Sequence, residues 1–187
     1  GPVEIGKSAR FRATALREGG ENASYSREFA FSKSTGRPAV LNTKPNDSYT
    51  FEGASLLVDG YHSRPVFTSG AWLGYLDEPL DVTIDMGGEQ SYRSVELETL
   101  AEKGDWIFPP SSVTVSDNGT DFTEVASVAV PEAKAGDADG IGRYRMQFPE
   151  TSARYLKVVA QNAAAIPAWH PGAGSKGFLF VDEVVVE

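Results

Sequence analysis

Three short strings set aromatic and polar side chains next to one another: Trp169-His170 in IPAWHPGAGSKG, Asp105-Trp106 in EKGDWIFPP, and Tyr61-His62 just after Asp59-Gly60. A flat aromatic ring against the apolar face of a pyranose, with polar groups converging on its hydroxyls, is the chemistry that holds a sugar. The Trp169-His170 string is the richest of the three, because Pro167, Pro171, Gly172 and Gly174 frame a stiff loop and Lys176 offers a nearby hydrogen-bond donor. The same rings have a plainer use as core, or as a surface docked on a neighbouring domain. Trp72 is expected in the core, and Trp106, beside Ile107, Phe108 and two prolines, reads equally as a loop plug.

Bond-breaking chemistry finds less support. Glycoside hydrolysis needs two carboxyl groups set across one sugar, one of them with a raised pKa, and Asp81 and Asp85 instead fall on the polar side of an alternating strand. There is no G-x-S-x-G elbow, His62 and His170 are the only imidazoles, and no glycine-rich phosphate loop opens a helix. By itself the chain is expected not to be an enzyme. The 187 residues carry 17 basic and 26 acidic side chains, a formal charge of −9, which repels nucleic acid and anionic lipid. No apolar run approaches the roughly 18 residues of a membrane span, so neither nucleic acid nor membrane insertion is expected. With no cysteine, disulfides and thiolate metal sites are excluded. Gly1-Pro2 reads as the remnant of a cleaved tag, and the chain as a piece of something longer.

The elements that must position the aromatic strings are strands. LDVTIDMG alternates Leu80, Val82, Ile84 and Met86 with Asp81, Thr83 and Asp85, a period of two that buries one face. SYRSVELETL follows, and Gly87-Gly88 between them predicts a tight connection that makes the two runs neighbours. Asp117-Asn118-Gly119 after Val113 and Val115 is a strong hairpin signal. GRYRMQF, ARYLKVVAQN and FLFVDEVVVE complete at least six strands after residue 80. The fold class is therefore all-β, an antiparallel sandwich or barrel. Ahead of it, two strands around Gly19-Gly20 form a hairpin too small to stand alone. A boundary is placed near residues 36–50, giving an appendage at 1–50 and a main domain at 51–187.

In their order and spacing LLVDG (56–60), Trp72 in GAWLGY, LDVTIDMG, WIFPPSSVTVSDNGTDF, ARYLKVVAQN and FLFVDEVVVE resemble the discoidin fold, the coagulation-factor 5/8 C-type domain, over residues 51–187. They are similar to the discoidin-like carbohydrate-binding modules at the carboxyl end of bacterial glycoside hydrolases. GAWLGY, WIFPPSSVTVS and WHPGAG with FLFVDEV are similar to the tails of β-N-acetylhexosaminidases from gut Bacteroidota. The resemblance implies a jelly-roll-like sandwich that binds glycans ending in galactose or an N-acetylhexosamine, attached to a catalytic domain in a periplasmic, cell-surface or secreted enzyme. Residues 1–50 would then be the closing strands of a preceding small β-sandwich. The alternative is a structural accessory domain that stabilises the parent enzyme or its dimer and binds no sugar.

The resemblance also implies a structural calcium ion, a hard cation that takes oxygen ligands. Asp59 and Glu183 match its carboxylates, and Leu56 and Asp182 would offer carbonyls. Tyr61 and Arg64 depart from the family pattern, and the Arg64 guanidinium could replace the ion by pairing with Asp59 or Glu183.

Overall fold

The computed structural model describes residues 6–16, 19, 23–118 and 121–187. Its strands are β1 (Ala9–Ala15), β2 (Ala23–Phe29), β3 (Ala39–Leu41), β4 (Leu73–Tyr75), β5 (Leu80–Ala101), β6 (Ser112–Asp117), β7 (Thr123–Ala129), β8 (Gly140–Gln161) and β9 (Leu179–Val186). The sheet order is β4-β9-β5-β8-β6-β7 with β3 on β5, all neighbours antiparallel. The chain is an all-β sandwich.

The two runs flanking Gly87-Gly88 are one strand, not two joined by a reversal. β5 runs unbroken for 22 residues, and its partner β8 merges GRYRMQF with ARYLKVVAQN in the same way. Pairing from Leu80↔Ala160 to Ala101↔Gly140 shifts register between Asp85 and Gln90 and again between Tyr92 and Ser94. The positive φ of Gly87, 78°, thus serves a bulged corner where both strands pass from one sheet to the other. Before the corner β5 carries β3 on its open side, and after it β9 takes that place. Because β5 and β8 both fold over there, Leu80 and Ala101 return to one end of the sandwich. The loops 102–111, 130–139 and 162–178 gather at that end, while the β6–β7 turn at Asn118 falls by the corner, where the Tyr92 hydroxyl donates to Asp117. The expected hairpin of β6 and β7 is present; Gly119 lies outside the described residues, as does Gly20 of the first hairpin.

Leu80, Val82, Ile84 and Met86 are all fully buried. They join Leu97, Val113, Val115, Leu156, Val158 and Val181 in the main core, burial worth about 1.5–3 kcal/mol for each large side chain. A second, smaller core of Trp72, Leu100, Ile107 and Phe180, with Tyr49 and Phe67 against it, lies under the segment preceding β4. Trp72 is fully buried there, as expected, and its indole N–H donates to the Arg64 carbonyl. Gly74 permits this packing, since a Cβ on it would lie 2.9 Å from both Tyr49 Cβ and Phe180 Cζ. LLVDG is not extended: Gly53–Val58 is a 3-10 turn with Leu57 fully buried.

The sandwich begins earlier than the expected boundary at 36–50. Lys33 N–H donates to Val186 O, the buried Ser34 hydroxyl donates to Val184 O, and β3 pairs with β5. The register of β1 on β2 puts Ala9, Phe11, Ala13 and Ala15 on one face with Phe29, Arg27, Tyr25 and Ala23, while Arg10, Arg12 and Thr14 share the other with Glu28, Ser26 and Ser24.

Candidate functional site

The sequence-predicted aromatic strings separate into two places. At the loop end of the sandwich, Trp106, Phe108, Trp169 and His170 form one cluster. His170 is 5.5 Å from Trp169 and from Phe108 and 6.2 Å from Trp106, centroid to centroid, with every ring pair near perpendicular. The imidazole is nearly buried, whereas Trp106 and Trp169 are 44% and 40% exposed. His170 Nε2 lies 2.9 Å from the Lys103 carbonyl, and Gly172 N–H donates to Nδ1 at 3.0 Å. A carbonyl only accepts, so Nε2 carries the proton and Nδ1 is the acceptor. Neither nitrogen is left for a sugar hydroxyl. His170, expected as a sugar contact, is instead the peg on which two indoles are set.

Each indole has its own anchor. Trp106 caps the 3-10 turn Lys103–Asp105 in the left-handed region, φ 64°, a conformation that costs a bulky residue roughly 1–3 kcal/mol. Its ring lies over Gly172, where a Cβ would come within 2.9 Å of Cζ2. Trp169 donates its N–H to the Ala133 carbonyl at 2.9 Å, joining the β8–β9 loop to the β7–β8 loop. Asp105 is exposed in the same turn; burial and then the nearby Asp105 charge push the Glu102 carboxyl up. Lys103, itself buried, is paired with Asp139. Lys176, expected as a donor beside Trp169, is drawn away by Asp77 at 2.6 Å. A cleft of about 340 Å³ opens next to the β8–β9 loop, lined up to Ala168 and including Phe108, Pro110, Val130, Ala133, Ile166 and Pro167. The β7–β8 loop is the part that sequence reasoning missed, since PEAKAGDADG has no aromatic residue to draw notice.

Tyr61 and His62 belong to a different surface. The Arg27 guanidinium sits 3.9 Å over the Tyr61 ring and Phe29 lies 6.3 Å from it, so Tyr61 docks the hairpin. His62 Nδ1 is 3.0 Å from Glu98 Oε2, which also accepts from Arg143 Nε at 2.8 Å. The hydrogen bond to Glu98 raises the imidazole pKa. Glu98 is fully buried, and its Oε1 has no partner among the described residues. The expectation that these loops share one end with Trp169 does not hold, because the segment 59–72 runs along the flank of β9: Gly60 is at Glu183, Ser63 at Asp182, and Leu73 pairs with Val181.

The carboxylates named for a metal divide likewise. Asp59 and Glu183 are within electrostatic reach of one another, and Gly60 N–H donates to both Glu183 oxygens at 3.2 Å. Burial, and then the Asp59 charge, push Glu183 up to about 10. Asp182 turns to Ser63 N–H, 2.8 Å away, and burial raises it to about 8. Leu56 is buried in the 3-10 turn. Among the described residues no third His, Cys, Asp or Glu side chain joins Asp59 and Glu183 in a metal-ligating group. Arg64 does not take the ion's place, for it forms no salt bridge among the described residues. No helix among them is long and apolar enough to cross a membrane.

Neither protein-family models nor curated proteins match the sequence. Solved structures do. Chitosan-binding module 1 of a chitosanase/glucanase from Paenibacillus sp. IK-5 superimposes with a TM-score of 0.53 at 16% identity, over 84% of this chain and 98% of that one. CpGH89CBM32-5 from Clostridium perfringens, solved with GalNAc-β-1,3-galactose, gives 0.51 at 15% over 80% and 93%. A fucose-binding module of Streptococcus pneumoniae gives 0.51 at 21% over 83% and 94%. The chain shares their sandwich fold. The similarity runs nearly the full length of each module.

Proposed function

We propose that this chain is a discoidin-like carbohydrate-binding module, without catalysis of its own, that holds a glycoside hydrolase on glycans ending in galactose or an N-acetylhexosamine. The parent would be a β-N-acetylhexosaminidase at the cell surface, in the periplasm or secreted, with its catalytic domain as the covalent partner. The observation that carries the reading is the pair of exposed indoles, Trp106 and Trp169, locked on either side of the buried His170. Exposed large aromatics held at strain and fixed by hydrogen bonds are a ready platform for a pyranose. The apolar cleft beside Trp169 suits the methyl of an acetamido group. Structural neighbours that bind chitosan, GalNAc-β-1,3-galactose and fucose support a sugar as the ligand.

The site is shallow, so dissociation constants in the high micromolar to millimolar range are expected. A glycan array followed by calorimetry on galactose, N-acetylgalactosamine and N-acetylglucosamine measures this directly. Blank results across mammalian and plant glycans would overturn the reading, as hydrolysis of a nitrophenyl hexosaminide would overturn the absence of catalysis.

One feature favours the structural alternative, a domain that steadies the parent enzyme or its dimer. The β1–β2 hairpin leaves apolar side chains uncovered, with Tyr25 57% and Leu16 beyond β1 81% exposed, and two strands alone are marginal in water. That alternative is the one to adopt if the sugar screens stay blank.

The reading carries a structural calcium ion held by Asp59 and Glu183, with the carbonyls of Leu56 and Asp182 as further oxygens. Its support is the placing of the Asp59 carboxyl beside the buried Glu183, whose proton a divalent cation would replace. Calcium at millimolar concentration is then expected to raise Tm over that in chelator, with the rise following the logarithm of free ion. Coincident melting curves would dispose of the ion.

A further inference from the structure

We infer a second binding site, separate from the tryptophan platform, that takes the anionic group of an acidic sugar, a carboxylate or sulfate ester, in the cleft between the β1–β2 hairpin and the loop 61–64. The cleft encloses about 690 Å³, and its lining includes Arg10, Arg27, Arg64, Tyr61, His62 and Glu28. Arg27 and Arg64 are the guanidiniums of this cleft that no carboxylate pairs among the described residues, in a protein whose net charge is −9, while Arg10 and Glu28 lie on the opposite face of the hairpin from Arg27.

The charges are not cancelled internally. Arg10 is held by Glu28, its cross-strand partner in the hairpin. Arg27 and Arg64 form no salt bridge among the described residues. Arg27 instead sits over the Tyr61 ring at 3.9 Å, a cation–π contact that holds its guanidinium at the wall of the cleft. Asp59 is within electrostatic reach of Arg27, but its Oδ1 is already engaged by the Tyr61 N–H. His62 is committed to Glu98.

A guanidinium fork matches the planar carboxylate and the sulfate ester alike. Around the two free forks stand Ser8, Ser26 and the backbone of the hairpin, polar groups of the kind that read hydroxyls. An anion that is also a sugar therefore suits the cleft better than a bare ion. The site lies against Tyr61 and the hairpin, whereas the neutral-sugar platform is built from Trp106 and Trp169, so the two stand or fall independently.

Titration of the whole chain with glucuronate, N-acetylneuraminate and galactose 6-sulfate, set against neutral galactose and inorganic sulfate, tests it by chemical-shift mapping and calorimetry. The acidic sugars are expected to shift residues of the cleft and to weaken about tenfold between 50 and 300 mM salt. Arg64→Gln should lower their affinity at least tenfold, and Arg27→Gln likewise. Carboxylate against sulfate binding distinguishes the two sources of charge. No shift with any acidic sugar, equal binding by inorganic sulfate, or wild-type affinity in both arginine variants would overturn the site. Loss of neutral-sugar binding alone would strike only the tryptophan platform.

Discussion

Trp169→Ala is expected to abolish measurable sugar binding at the loop end while leaving the sandwich folded. The indole supplies about half of the exposed aromatic surface there. A drop of tenfold or more, about 1.4 kcal/mol, takes an affinity that starts near millimolar below detection. If the ring were a free surface group, the stability cost would stay within about 1 kcal/mol. The structure raises that figure, because Trp169 donates to Ala133 O and packs on Phe108 and His170. One lost hydrogen bond and a half-buried indole together cost about 2–3 kcal/mol. Chemical denaturation and calorimetry on the same samples separate the two effects. Unchanged affinity in a folded variant would remove the tryptophan platform as the sugar site. His170→Ala should weaken binding without touching sugar, by letting both rings shift, and its signature is weaker affinity together with lowered stability.

In chelator, stability is expected to be greatest in mildly acid solution and to fall by pH 8. Glu183 and Asp182 are pushed up to about 10 and about 8 from ordinary values of 4.5 and 3.8, chiefly by burial. The folded chain therefore keeps protons that the unfolded chain has released. Where the folded state binds more protons, stability declines as pH rises. The decline starts as pH passes the unfolded values near 4 and continues towards the folded ones. His62, raised by Glu98, acts in the same direction: its contribution is complete below 6.5 and disappears as pH climbs through its folded value. Each retained proton is worth about 1.4 kcal/mol per pH unit, so every proton held throughout takes away about 4 kcal/mol between pH 5 and 8. Urea midpoints across that range measure it. Glu183→Gln, a neutral isostere, should flatten the profile, and bound calcium should flatten it too by taking the proton's place. Stability that climbs steadily to pH 8 in chelator would refute the protonated cluster.

Which parts of this were legible beforehand follows from how local each signal is. The alternation of Leu80, Val82, Ile84 and Met86 predicts a half-buried strand, and all four side chains are inside, because a period of two is imposed by the backbone of each strand alone. The Asp117-Asn118 turn and the burial of Trp72 were readable for similar reasons. Gly87-Gly88 misled, since a positive φ serves a corner as well as a reversal. Only the common partner β8, folding at the same point, decides between them. Ser34 and β3 find their partners on β9 and β5, far along the chain, which no local composition change near residues 36–50 announces.

The sequence by itself determined that the protein is an antiparallel β structure with an acidic surface, two hydrophobic faces to bury, and tryptophans on loops beside proline and glycine. Tertiary structure decided what each polar group does. His170 became a peg because the Lys103 carbonyl and the Gly172 N–H claimed both its nitrogens. His62 was drawn to a buried Glu98 that Arg143, 45 residues further on, also holds, and Tyr61 went to the hairpin under Arg27. Strand formation depends on neighbours in the chain, whereas a hydrogen bond or ion pair depends on which groups meet within about 3 Å, and that is set only when the sheets close.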